Sequence, residues 1–227
     1  MHKNKRIILT ISLLTFSLKN FAIDEHVKQW LAINEQNTFG DHQQWHALLY
    51  SQLRFIDQAH PWQSLLLEGG IGYQLVPHTT AWLGYRWSGQ DPYHQFYQEN
   101  RLFQQSISQG KVDFGHLIFR NRLEEISRTN SNQMGLRLRE RLSIEINHIF
   151  LNHFFPMTYD EVFFQLNHPN YMPVTFLGEN RLFLGFNLYE SQKTWWEIGY
   201  INQYQIHTPQ QPQNQMSHIL SITYNFS

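Results

Sequence analysis

QMGLRLRERLSIEIN, residues 133–147, alternates apolar and polar positions almost without a break. Met134, Leu136, Leu138, Leu142, Ile144 and Ile146 share one parity, and Gly135, Arg137, Arg139, Arg141, Ser143, Glu145 and Asn147 share the other. A period of two marks an extended strand, because successive side chains leave the backbone on opposite faces. About 15 residues at ~3.3 Å each reach roughly 50 Å, or on the order of 35 Å after a ~45° tilt, enough to cross a ~25–30 Å apolar layer. One face is aliphatic and the other carries guanidinium groups, which suits a wall between lipid and a polar interior.

Ten more stretches show the same alternation with varying regularity: 27–34, 44–55, 63–75, 79–88, 95–107, 111–125, 158–167, 176–188, 194–206 and 217–226. The pattern therefore counts eleven strands. Closed barrels of single bacterial chains have even numbers. The expectation is accordingly an all-β, antiparallel transmembrane β-barrel, an up-and-down meander of twelve strands, alternatively ten, with 148–157 as the place for an additional one. Brief connections (76–78, 108–110, 189–193) alternate roughly with longer ones (56–61, 89–94, 126–132, 168–175, 207–216), the rhythm of periplasmic turns and external loops. Proline marks several of them, at Pro61, Pro77, Pro92 and Pro156, since it lacks the donor that a ladder needs.

Compartment is read from the start of the chain. Lys3, Lys5 and Arg6 precede an apolar run from Ile7 to Leu18, and Ala22 stands before a polar Asp24-Glu25. That order reads as a secretory signal peptide over residues 1–22, leaving 23–227 as a single outer-membrane β-barrel domain. Without residues 1–22 the chain carries 13 basic against 18 acidic residues, a net charge of −5, which is not the footprint of a nucleic-acid binder. Charged residues make up 15% of the chain, against a typical ~25%. There are no cysteines, which excludes disulfides, thiolate metal sites and a cysteine nucleophile. No cofactor motif is present: Gly69-Gly70-Ile71-Gly72 lacks both the helix and the lysine of a phosphate loop.

The polar parity collects the charges. Glu99, Arg101, Arg120, Arg122, Glu124, Arg137, Arg139, Arg141, Glu161, Glu179, Arg181 and Glu197 share it, together with Glu68, Arg86 and Glu145. Opposite charges on one face of neighbouring strands attract, and guanidinium–carboxylate contacts are the strong form. Gly70, Gly72, Gly84, Gly135, Gly185 and Gly199 lie on the same parity and are expected to make room for long arginines. Two roles fit this network: it fills and stiffens a plugged lumen, or its arginine surplus lines a narrow pore or site preferring anions. The aromatics Trp45, Tyr73, Tyr85, Trp87, Phe96, Trp196, Tyr200 and Tyr204 mostly take the apolar parity near strand ends, as in an interfacial girdle.

Enzymatic constellations are weak. Ser51, Ser64, Ser88, Ser106 and Ser108 and His46, His116 and His218 are available to a serine hydrolase, but none of the serines sits in a Gly-x-Ser-x-Gly elbow. His42/His46 and His148/His153 are the histidine pairs nearest a metal-ligand spacing, yet strand and loop spacing does not make such pairs converge. No catalytic or metal residue is assigned.

The Glu-Asn-Arg repeated at 99–101 and 179–181, the run Arg120-Asn121-Arg122-Leu123-Glu124, the alternation Arg137-Leu138-Arg139 and the late Ile198-Gly199-Tyr200 together resemble a bacterial family, domain of unknown function 2490, over about residues 27–226. The resemblance implies an outer-membrane barrel of Gram-negative bacteria with no established activity, so it carries over no catalytic residue. The closing Tyr224-Asn225-Phe226-Ser227 is similar to the aromatic signal read by the barrel-assembly machinery, with the aromatic penultimate. The expected partners are that machinery and outer-membrane lipid and lipopolysaccharide. Three functions stand side by side: a structural or narrow-pore outer-membrane barrel, an outer-membrane lipid hydrolase, and a soluble periplasmic lipid-binding barrel with reversed facing.

Overall fold

The structure, a computed structural model, describes residues 23–40, 42–57, 62–91, 96–147 and 153–227. The expected signal peptide, the prolines Pro61 and Pro92, and His148 lie outside the described residues. Among the described residues eleven strands follow one another: β1 (Ile23–Phe39), β2 (Trp45–Ile56), β3 (Trp62–Val76), β4 (Thr79–Gln90), β5 (Tyr97–Val112), β6 (Gly115–Arg128), β7 (Met134–Ile146), β8 (Phe154–Gln165), β9 (Leu177–Tyr189), β10 (Thr194–Gln205) and β11 (Asn214–Phe226). Each pairs antiparallel with the strand before it, and β1 closes on β11 to complete a barrel.

Both expected strand numbers, twelve and ten, are therefore corrected to eleven. Eleven strands make ten antiparallel steps, and an even number of reversals leaves the first and last strands pointing the same way, so the closing ladder, from Ile23↔Asn214 to Glu35↔Phe226, is parallel. Of the stretch 148–157 expected to hold an additional strand, 148–152 lie outside the described residues and 154–157 belong to β8, which begins earlier than expected, at Phe154. Pro156 sits inside β8 without breaking a ladder. Its nitrogen faces the β7 side, and β7 pairs with β8 only from Met157 onward, so the missing donor falls on an overhang. The first strand is the other surprise: it runs 17 residues, longer than its weak alternation suggests.

The shortest connections share one end, where 40–44 and 147–153 also lie. Residues 77–78 and 113–114 make two-residue turns there, together with 190–193 and the close of β11. His78 holds φ at +69° in the Val76-Pro77-His78-Thr79 turn, the left-handed third position of a type II turn after proline. The opposite end carries the longer segments 129–133, 166–176 and 206–213 and the start of β1. Two of these fold over the mouth: Tyr171 and Met172 bury themselves against Ile126, and Val174 N donates to the His207 carbonyl.

Alternation decides the two surfaces. The outer wall exposes Leu31, Leu49, Leu67, Ile71, Leu83, Leu102, Leu184 and Leu220, whereas Glu68, Glu99, Arg122, Glu124, Arg139 and Glu161 are buried inside. The wall is not uniformly apolar. Register sets Asn121 opposite Glu140 on its outer face, and Asp160 there accepts a hydrogen bond from Asn180 at 2.6 Å. A polar seam thus crosses β6 to β9.

Candidate functional site

The site is the lumen, and register builds it. Glu68 on β3 stands directly opposite Arg86 on β4, so Arg86 Nε donates to Glu68 Oε2 at 2.6 Å. Arg122 reaches the same carboxylate from β6, with Nη1 at 3.1 Å from Oε2 and Nη2 at 2.5 Å from Oε1. Its Nε donates to Gln105 Oε1 at 2.9 Å. Such a two-pronged contact fixes orientation as well as charge.

A second knot forms around Arg139. Its Nη1 donates to Glu124 Oε1 at 2.7 Å and its Nη2 to Glu161 Oε1 at 2.9 Å, joining β6, β7 and β8. Glu124 also accepts from Arg137 Nε at 2.9 Å, and Glu161 accepts from Arg120 as well. Glu99 is held by Arg101 and, at 2.9 Å, by Arg128. Glu179 accepts from Arg181 Nε at 2.5 Å and from the amides of Gln203 and Gln205. Buried charges are costly unless paired and hydrogen-bonded, and here each of these carboxylates meets at least two donors.

Ten of the twelve residues singled out from the sequence thus lie in one ion-pair network: Glu99, Arg101, Arg120, Arg122, Glu124, Arg137, Arg139, Glu161, Glu179 and Arg181. Arg141 and Glu197 do not join it. Arg141 instead stacks over Tyr159 at 5.0 Å, and among the described residues Glu197 makes no ion pair. Glu145 accepts from Asn187.

The glycines make room, but for rings. A Cβ on Gly72 would stand 2.6 Å from the Trp82 ring, and one on Gly185 or Gly199 would meet Phe183 at 2.6 or 2.5 Å. Gly84 gives way to Phe103. The rings lie along the wall and the guanidiniums stack on them, Arg122 at 3.7 Å from Phe103, and Arg139 and Arg181 at 4.7 and 4.6 Å from Phe163. Gly84, Phe103 and Arg122 form such a two-step arrangement, and there the expectation that glycine serves arginine directly is corrected; Gly72, Gly185 and Gly199 make room for rings that carry no guanidinium among the described residues. Outside that arrangement, Trp30, Met157, Tyr159, Phe183, Ile201 and Ile219 pack as an apolar cluster.

Two cavities flank the network. One, of about 210 Å³, opens toward the short turns and is lined by Arg120, Arg141 and Glu197. The other, of about 620 Å³, lies under the long loops. Trp30, Arg54, Arg86, Arg139 and Arg181 line both, and so form the partition between them. Trp30 is clasped by Arg54 and Arg181, at 4.0 and 5.0 Å from its ring.

The hydrolase candidates do not assemble. His218, on the outer wall, has Tyr200 Oη at 2.6 Å from Nδ1, and His46 lies in the lumen against Trp82. No serine bonds a histidine among the described residues. The aromatics expected at the rim do meet there, Trp45 with Tyr73 and Trp196 with Tyr224.

Sequence reasoning missed Lys28, Trp30 and Arg128 as lumen residues. Lys28 and Trp30 share one parity inside the stretch 27–34, so its alternation, weak as it is, was the signal for them, whereas Arg128 shares the parity of Arg120 and Arg122 and is found by extending 111–125 by three residues. Residues 27–214 match the model of a protein family described as a protein of unknown function (DUF2490). No curated protein and no solved structure matches the chain.

Proposed function

Since the chain belongs to the DUF2490 family, whose description names no activity, we propose from its geometry that it is an outer-membrane β-barrel whose lumen is closed at mid-height and prefers anions. The observation that carries this reading is the inverted polarity of the closed barrel. Leucines and isoleucines cover the outside while arginine–glutamate pairs are buried within. A soluble lipid-binding barrel needs the reverse, an apolar interior. Strands of 12 to 17 residues match a tilted crossing of a ~25 Å apolar band.

The partition of Trp30, Arg54, Arg86, Arg139 and Arg181 argues against a wide diffusion pore. Its Arg86, Arg139 and Arg181 are paired with glutamates while Arg54 is not, and such surplus positive charge at a constriction favours anions. The protein then serves as a rigid membrane element with an anion-attracting vestibule beneath the long loops. Membrane residence is tested by sarkosyl fractionation and heat-modifiable gel migration. Function is tested by conductance in planar bilayers with asymmetric potassium chloride. The expected outcome is small or intermittent current with a reversal potential on the chloride side. A large steady conductance, or cation selectivity, overturns the reading.

A further inference from the structure

On its β1–β2 wall the cavity beneath the long loops gathers donors without partners, while the unpartnered acceptors Asp91 Oδ1, Gln165 Oε1 and Gln203 Oε1 line it from other strands. Lys28 is 5% exposed, and among the described residues its ammonium has no carboxylate within ion-pair distance and no hydrogen-bond acceptor. Arg54 has no carboxylate partner either. Its Nε donates to Gln52 Oε1 at 2.7 Å, while the rest of its guanidinium lies over Trp30 at 4.0 Å. Trp30 Nε1, the donor of that same ring, is buried and unpartnered, and so is His26 Nε2. All four side chains line this one cavity. Register explains the grouping, since Trp30 pairs with Arg54 and Lys28 with Ile56 on adjacent strands, placing Lys28 one inward position from Trp30.

The neighbouring acids are engaged or distant. Eight lysine and arginine side chains line the cavity against three carboxylates, Asp91, Glu99 and Glu179. Glu99 is held by Arg101 and Arg128, and Glu179 by Arg181, Gln203 and Gln205. Asp91, just beyond β4, stands three strands from Lys28 in the barrel order. Buried polar groups are nearly always satisfied, and a cluster of orphan donors of one sign is satisfied by an anion. Two unpaired cations are neutralised by two negative charges, and donors on different side chains suit a tetrahedral oxyanion.

We propose that Lys28, Arg54 and Trp30 form a binding site for a phosphate-class dianion at the floor of this vestibule. It deepens the anion-preferring reading above by naming the ligand chemistry, and it stands independently of membrane current. Free phosphate and the phosphate of a small headgroup share that chemistry, and the volume of about 620 Å³ admits either.

The test is equilibrium binding of inorganic phosphate to the full chain folded in detergent micelles, at constant ionic strength, with glycerol 3-phosphate as a second arm. The expected result is saturable binding at one site, weakened at least tenfold in Lys28→Met and in Arg54→Gln. Lys28→Arg, which keeps the charge, retains most of the affinity, and Lys111→Met, on the exposed turn end of β5, leaves it unchanged. Heat-modifiable migration verifies that each variant is folded. Binding of phosphate alone identifies the free ion, and binding of both identifies a headgroup phosphate; either supports the site. No saturable binding of either probe, or equal affinity in Lys28→Met, Arg54→Gln and the unaltered chain, overturns it. Because the assay needs no bilayer, a silent conductance trace with intact phosphate binding removes the pore and keeps the site.

Discussion

Arg122 on β6 closes a two-pronged contact with Glu68 on β3, 54 residues earlier in the chain and across two intervening strands. Neighbouring strands pair by register alone, but this bond spans the lumen wall and ties its curvature to one geometry. Both side chains are almost wholly buried. Glu68 is also the partner of Arg86.

Glu68→Ala leaves Arg86 and Arg122 facing each other without their shared carboxylate. Removing one member of a buried pair strands the other charge, at a cost of about 3–5 kcal/mol. The expected outcome is a lowered urea midpoint for unfolding from detergent or vesicles, with an unchanged denaturant slope.

Gly84 tests the packing of rings on the wall. A Cβ there would stand 2.7 Å from the Gly69 carbonyl oxygen, a backbone atom that cannot swing aside, and would press on the Phe103 ring beneath Arg122. Gly84→Ala is expected to lose about 1–3 kcal/mol through overpacking. Gly110, where an added Cβ meets nothing within 4 Å, is the matched control, and Gly110→Ala is expected to stay within about 0.5 kcal/mol. Thermal midpoints by circular dichroism check both.

Leu184 and Asp160 probe the outer wall from opposite directions. Leu184 is 55% exposed in the middle of β9, and Leu184→Arg is expected to cost about 2–4 kcal/mol in a bilayer while leaving stability in water-like micelles much less affected. Asp160→Leu removes a carboxylate from the polar seam and is expected to favour assembly into vesicles. Refolding yields into phosphatidylcholine vesicles measure both. Equal yields for the two variants would contradict a lipid-facing wall.

His78 offers a backbone test. At φ +69° it occupies a position that favours glycine, so His78→Gly is expected to gain about 0.5–1 kcal/mol, the left-handed penalty less the added freedom of the unfolded chain. A chemical-denaturation midpoint shows the sign.

Much of this architecture is legible in residues. The alternation at 133–147 identifies β7 and assigns Arg137, Arg139 and Arg141 to one face. The eleven alternating segments correspond one for one with the eleven strands, and only the evenness rule led away from that number. Glu140 marks the limit of pattern reading: it interrupts the apolar parity of β7, and its place in a polar seam emerges only when Asn121 is set beside it by register.

Parity, then, is a local property, because each Cβ direction is dictated by its own residue's backbone, and the sequence by itself determined which side chains share a face. Closure is not local. Whether β1 meets β11 in parallel, whether Arg122 reaches Glu68, and why Lys28 and Arg54 stand apart from the carboxylates of their cavity depend on strand order, register and curvature. Those follow from the summed pairing of all eleven strands around a ring, and only the tertiary structure decides them.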